Sequence, residues 1–149
     1  MEFISKKFDE LTNLEVYEIL KSRAEIFVKE QKIIYLDMDD IDYDSFHMFY
    51  TDGKRVVAYL RAFYIDDKKD VIKFGRVLTL DHGKGIGGKF LNDCIKYVKD
   101  KHIANKIYLE SQSYATGYYE KAGFKIISDE FMEEGIPHKK MELLLYTQF

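Results

Sequence analysis

The stretch "HGKGIGGKF", residues 82–90, places four glycines in nine positions, between the apolar run "VIKFGRVLTL" and a segment with helical periodicity. It fits two phosphate-binding patterns at once. From Gly83 it reads G-x-x-x-x-G-K through Lys89, as in a triphosphate loop, and G-x-G-x-x-G through Gly83, Gly85 and Gly88, as in a dinucleotide fold. A triphosphate loop needs Ser or Thr after its Lys to hold magnesium, and Phe90 stands there. The dinucleotide fingerprint finds an acid at a suitable distance in Glu110, but it also requires strands and helices that alternate around a parallel sheet. The order of elements along the chain therefore decides the reading.

Upstream, Thr12 and Glu15 have capping-box spacing, and Tyr17, Leu20, Ala24 and Phe27 recur at helical intervals, which predicts an amphipathic helix over 12–30. An acidic connector follows, "IIYLDMDDIDYDS", with aspartates at 37, 39, 40, 42 and 44. The β-rich runs "HMFYT" and "RVVAYLRAFYI" flank Asp52-Gly53-Lys54, a strong hairpin signal, and the polar turn "DDKKD" leads into "VIKFGRVLTL". This predicts an antiparallel meander of three strands. After the glycines, Phe90, Leu91, Cys94, Ile95 and Val98 trace one face of a helix ending near Lys101. "KIYLES" then reads as a strand, "YATGYYEKA" as a short helix, and "FKIIS" and "KKMELLLYT" as strands. The order α-β-β-β-α-β-α-β-β describes an α/β chain with a mixed sheet, expected as one domain over residues 1–149. A meander ahead of the glycines argues against the alternating fold. What fits is a backbone anion site, with a helix starting near Gly85 whose free N–H groups and positive dipole end face a diphosphate.

Composition narrows the partners. With one cysteine, Cys94, and four scattered histidines there is neither a disulfide framework nor zinc-ligand spacing, so no metal is expected and a cytoplasmic setting is. No run of about 18 apolar residues offers a membrane span, and "MEFISKKFDE" lacks the pattern of a secretion signal. At a net charge of −3, with acids and bases interspersed, no basic stripe suits nucleic acid. A small-molecule partner is the expectation.

"RVLTLDHGKGIGGKFL" followed by "YLESQSYATGYYEKAGF" resembles the acetyl-CoA loop and downstream half-motif of the GNAT superfamily of N-acyltransferases. "RAEIFVKEQ", "YLDMDDID", His47 and "FMEEGIPHKKM" are similar to its ElaA-like branch, so the resemblance spans essentially the whole chain. It implies the GNAT fold, acetyl-CoA as cofactor and CoA as product. The family's loop pattern Q/R-x-x-G-x-G/A falls on His82, Gly85 and Gly87; His82 replaces the usual Arg or Gln, and the segment from Arg76 to Gly83 is about two residues shorter than in typical members. By resemblance the pyrophosphate lies on His82, Gly83, Lys84, Gly85, Ile86, Gly87, Gly88 and Lys89. The pantetheine amides then pair with backbone at Leu78, Thr79 and Leu80 in the manner of an added strand.

Acetyl transfer to an amine sets chemical demands. An amine of ordinary pKa is only a trace neutral at pH 7, so a competent nucleophile costs about 4–5 kcal/mol unless a base accepts its proton. The departing thiolate leaves more readily if protonated, and a tyrosine keeps its proton until pH ~10. The resemblance assigns that role to Tyr119, in the run "YEKAGF", with Gln112 beside the cofactor. Glu110, His138 and the aspartates at 37 and 39 remain open as the base. The acceptor, a small-molecule or peptide amine, is expected near Asp37, Asp39, Glu133 and His138, whose negative potential would favour a cation; Arg23 and Glu30 on the first helix are the further candidates. A homodimer through the last strands is compatible with the resemblance. The rival from another class is a non-catalytic acyl-CoA-binding module, which would keep the loop and need neither Tyr119 nor a base.

Overall fold

The computed structural model describes residues 1–33, 36–80 and 85–146. By contacts the chain divides into two compact units, Met1–Phe63 with Arg76–Phe90, and Tyr64–Gly75 with Leu91–Phe149.

In the first unit, strand β1 (Glu2–Lys7) pairs antiparallel with β2 (Phe46–Thr51), and β2 antiparallel with β3 (Val56–Tyr64). Asp52 builds the β2–β3 turn by accepting on Oδ1 from the N–H groups of Lys54 and Arg55, while Gly53 sits at φ +96°. Strand β4 (Val71–Thr79) belongs to both units. Ile65 N–H donates to Val71 O at one end of β4 and Leu80 N–H to Val57 O at the other, so β4 runs antiparallel to β3. The expected meander is present; the edge strand β1 is an addition to it. Helix α1 (Asn13–Arg23) starts at the expected capping box, with Thr12 Oγ1 accepting from Glu15 N–H and Glu15 Oε1 from Thr12 N–H. Its continuation over Ala24–Glu30 widens into π turns, Gln31 N–H reaching back five residues to Ile26 O. The apolar face of this double segment, Ile19, Ile26 and Phe27, packs with Phe49, Val56, Tyr59 and Leu78. Phe3 and Tyr50 meet the first turn of helix α2 (Ile86–Asp100) through the ring of Phe90, which lies 5.0 Å edge-on from Tyr50.

In the second unit, β4 pairs parallel with β5 (Lys106–Gln112) over three residues, Val71–Lys73 against Lys106–Tyr108. On its other side β5 pairs antiparallel with β8 (Ile136–Leu144) along its whole length. Strands β6 (Lys125–Ile126) and β7 (Phe131–Glu133) both pair with β8, and α3 (Thr116–Glu120) lies between β5 and β6 in sequence. The core residues Leu91, Cys94 and Val98 keep the expected helical spacing, and Ile107 and Leu109 the strand alternation. Two details differ from expectation. The "FKIIS" strand is only two residues long, and the last strand starts at Ile136 because Glu134 (φ +51°) and Gly135 (φ +72°) form a tight hairpin turn that creates β7.

Candidate active site

Gly85 stands at φ +74°, a left-handed conformation that disfavours side chains, and α2 begins immediately after it with Lys89 N–H donating to Gly85 O. A Cβ added at Gly85 or Gly88 would meet nothing within 4 Å. Close packing of strand on helix therefore does not explain Gly85 and Gly88; among the described residues these two front open space at a helix N-terminus. Asp81, His82, Gly83 and Lys84 lie outside the described residues. Phe90, at the position a triphosphate loop gives to Ser or Thr, is fully buried on the sheet and has no access to a ligand.

Of the three backbone positions expected along the pantetheine arm, Leu80 has its N–H committed to Val57 O. Neighbouring residues of a strand direct their amides to opposite sides. Thr79 is thus the one whose amide points away from β3, and Leu78 contributes its buried side chain to the core.

In the second unit, Tyr119 is 8% exposed and held by the end of α3. Phe124 N–H donates to Tyr119 O and Gly123 N–H to Glu120 O, with Gly123 at φ +104°: a Schellman ending, completed by the Phe124 ring 5.8 Å from that of Tyr119. The "YEKAGF" run thus fixes the tyrosine in place. Its hydroxyl makes no hydrogen bond with a described residue, and burial, with Tyr118 and Tyr114 adding, raises its pKa above the ordinary tyrosine value. The group remains a protonated phenol across the physiological range.

Gln112 closes β5 and faces His138 across the β5–β8 pair. His138 is buried, its Nδ1 2.7 Å from Ile136 O, its Nε2 3.5 Å from Glu133 Oε2, and its ring stacked 6.0 Å from Phe131. A carbonyl only accepts, so Nδ1 is a protonated ring nitrogen, and Nε2 is the one that faces Glu133. Glu110 is differently placed. Its Oε1 accepts from Lys73 Nζ at 3.0 Å and its Oε2 from Tyr108 Oη at 2.9 Å. Burial raises its pKa, but those bonds and the Lys73 charge outweigh it and hold the carboxyl below the usual glutamate value, which makes it a poorer base.

The aspartates of the acidic connector have charged partners within the first unit. Asp37 is bracketed by two guanidinium groups: Oδ2 accepts from Arg23 Nε and Oδ1 from Arg76 Nε, both at 2.8 Å, and its carbonyl accepts from Nη2 of each. Asp39 takes Arg61 in bidentate fashion at 2.6 and 2.8 Å. Asp42 Oδ1 accepts from Arg23 Nη1 at 2.7 Å and Arg61 Nη1 at 3.2 Å. Three aspartates face three arginines, so the charge expected to draw a cationic acceptor to Asp37 and Asp39 is cancelled. Arg23 is not an outward-facing helix residue; it is 0% exposed. Arg76 holds φ +53° within β4 as it reaches Asp37. Beneath the cluster His47 joins Tyr59 Oη (2.7 Å) to the Asp42 carbonyl (2.8 Å), and burial, with Arg23 and Arg61 nearby, lowers its pKa so that it stays neutral. Glu30 ends the π segment on the surface, and Glu133 is half exposed beside His138. The sequence reading missed Arg61 and Arg76. A lone arginine inside the apolar run "VVAYLRAFY" was the available signal of a buried ion pair.

The family described as "Acetyltransferase (GNAT) domain" matches residues 18–145. A UPF0039 protein from Schizosaccharomyces pombe is 34% identical over 149 residues, covering 97% of this chain and 98% of its own length. Protein ElaA from Escherichia coli is 31% identical over 137 residues, 87% of each chain, and its crystal structure superposes with a TM-score of 0.86 at 26% identity over 95% of this chain and 97% of that one. An acyl-CoA N-acyltransferase from Pseudomonas aeruginosa superposes with a TM-score of 0.86 at 27% identity, over 95% of this chain and 99% of that one.

Proposed function

The chain belongs to the GNAT acetyltransferase family, in its ElaA-like branch, and from that premise we propose that it is an N-acetyltransferase that moves an acetyl group from acetyl-CoA to a primary amine by direct attack in a ternary complex. Acetyl-CoA supplies the activated acyl group as a thioester. The observation that carries the reading is the left-handed Gly85 at the start of α2 together with the open space in front of Gly85 and Gly88. There the first-turn amides and the helix dipole hold the pyrophosphate. Thr79 offers its outward-facing backbone to the pantetheine amides, and Gln112 stands at the strand end beside the cofactor.

Tyr119 serves as the acid. Its phenol stays protonated, is fixed by the Schellman ending and has no hydrogen-bond partner among the described residues to compete for its proton, so it can donate to the departing sulfur. His138 is the better base: its Nδ1–H is pinned to Ile136 O, and Nε2 takes the ammonium proton with Glu133 alongside. Glu110, tied to Lys73 and Tyr108, orders the β4–β5 pair instead. The acceptor lies toward Glu133 and His138, while Asp37, Asp39 and Arg23 belong to a neutral clamp with Asp42, Arg61 and Arg76.

Calorimetric titration tests the cofactor assignment. Acetyl-CoA and CoA should bind with micromolar or tighter affinity, ATP with magnesium and NAD should not bind, and Gly88→Asp should weaken CoA at least tenfold while leaving the melting midpoint in place. Binding of ATP or NAD in preference to CoA would overturn the reading.

A further inference from the structure

The first unit contains a cavity of about 150 Å³ built from α1, the acidic connector and the chain between β1 and α1. Phe8, Leu11, Val16, Ile19 and Leu20 form its walls, and Met38, Asp40 and Tyr43 its mouth. Arg23, Asp42 and His47 form its floor. None of the lining residues belongs to β4, β5, α2 or α3, and binding in this pocket is inferred from its lining without resting on acetyl transfer by the chain.

The floor sets what can enter. Arg23 spends Nε and Nη2 on Asp37 and Nη1 on Asp42, and both nitrogens of His47 are committed. Asp42 uses Oδ1 for both arginines, and no described residue donates to its Oδ2. Yet Oδ2 is not sealed: the fully buried side-chain polar atoms without a partner are, among the described residues, Ser5 Oγ and Arg61 Nε. The Asp42 side chain is 13% exposed. One carboxylate oxygen at the bottom of an apolar cavity is thus reachable and lacks a donor. Asp40, exposed at the mouth, is a carboxylate outside the set of three aspartates and three arginines, so its charge favours a positive donor over a negative one. A cavity of ~150 Å³ with such walls takes a benzene-sized body.

We propose that this pocket binds a small monocyclic primary amine, its ring against Phe8, Val16, Ile19 and Leu20 and its ammonium group donating to Asp42 Oδ2. An amide-detected NMR titration with benzylamine, toluene and benzoate tests both halves of the assignment without disturbing the ion-pair cluster. Benzylamine should give saturable shifts confined to residues 8–23 and 38–47, with an affinity in the millimolar range or tighter. Toluene should bind at least tenfold more weakly and benzoate not at all. Val16→Phe, which fills the cavity from α1, should abolish the shifts while the protein still melts cooperatively. Absence of saturable shifts in this region would overturn the site, as would their survival in a folded Val16→Phe variant. Equal binding of toluene and benzylamine would overturn the role of Asp42 and with it the amine class.

Discussion

Replacing Asp37 with Asn separates a structural clamp from an acceptor-binding carboxylate. Asp37 accepts two charge-assisted bonds on its side chain, from Arg23 Nε and Arg76 Nε, both 2.8 Å long. Removing one partner of a buried ion pair costs about 3–5 kcal/mol, because the other charge stays behind in a medium that cannot solvate it. Arg23 is fully buried, which argues for the upper part of that range. Two features pull the other way: Arg23 keeps Asp42 and the Asp37 carbonyl, and the Asn oxygen still accepts one of the two lost bonds. The amide nitrogen, however, must face a guanidinium N–H, donor against donor. A loss of about 2–3 kcal/mol results, which for a chain of this size is a drop of about 5–10 °C in melting midpoint. Asp40→Asn is the control: Asp40 is exposed at φ +67°, where Asn is well tolerated, and should change stability by less than about 0.5 kcal/mol. Urea unfolding followed by circular dichroism reads both variants. If Asp37→Asn is no less stable than Asp40→Asn but binds amines more weakly, the clamp is wrong and Asp37 belongs to the acceptor site.

Tyr119→Phe should lower kcat by about 10²–10⁴ with CoA affinity retained, and stability should hold within about 0.5 kcal/mol, since the lost hydroxyl makes no hydrogen bond with a described residue; a full-speed variant would return Tyr119 to the core. His138→Ala should lower kcat/KM for the amine by about 10²–10⁴ and leave the dissociation constant of CoA unchanged; unchanged amine kinetics would leave the residue as part of the β7–β8 hairpin. The Asp39 carboxyl is held at about 2, chiefly by its hydrogen bonds to Arg61, against an ordinary 3.8. The folded state therefore releases this proton more readily than the unfolded one, and Asp39 contributes stability that is complete above pH 4–5 and lost as pH falls toward about 2. The urea midpoint should accordingly decline more steeply between pH 5 and pH 3 in the wild type than in Asp39→Asn, and parallel declines would refute the pairing.

Much of the fold was legible because local rules and tertiary structure agree. The capping box at Thr12, the Asp-Gly turn and the 3.6-residue spacing of Phe90, Leu91, Cys94 and Val98 each specify their element without outside help. Strand β1 was not legible: "EFISKK" is a short edge strand rich in charge, and only pairing with β2 makes it a strand. The β7–β8 hairpin was hidden because its turn is Glu-Gly, a pair whose left-handed geometry at Glu134 no propensity announces. At the candidate site, the Schellman ending at Tyr119 and the α2 N-terminus were legible by motif, since each is built from residues contiguous in sequence. The partners of the acidic connector were not legible because they come from three separate elements: Arg23 at the end of α1, Arg61 in β3 and Arg76 in β4. A run of aspartates shows charge but not what neutralises it.

Transfer of acetyl groups from acetyl-CoA to amines is tested most directly by single-vessel turnover. The purified protein is incubated with acetyl-CoA and a panel of aryl, alkyl and polyamine acceptors, free thiol is followed by absorbance, and acetylated products are identified by mass spectrometry. At least one amine should give thiol release in step with its own acetylamide, and Tyr119→Phe should suppress both by the same factor. Saturable binding of acetyl-CoA with no amine turned over, or thiol release that ignores the amine and survives Tyr119→Phe, would contradict the assigned activity.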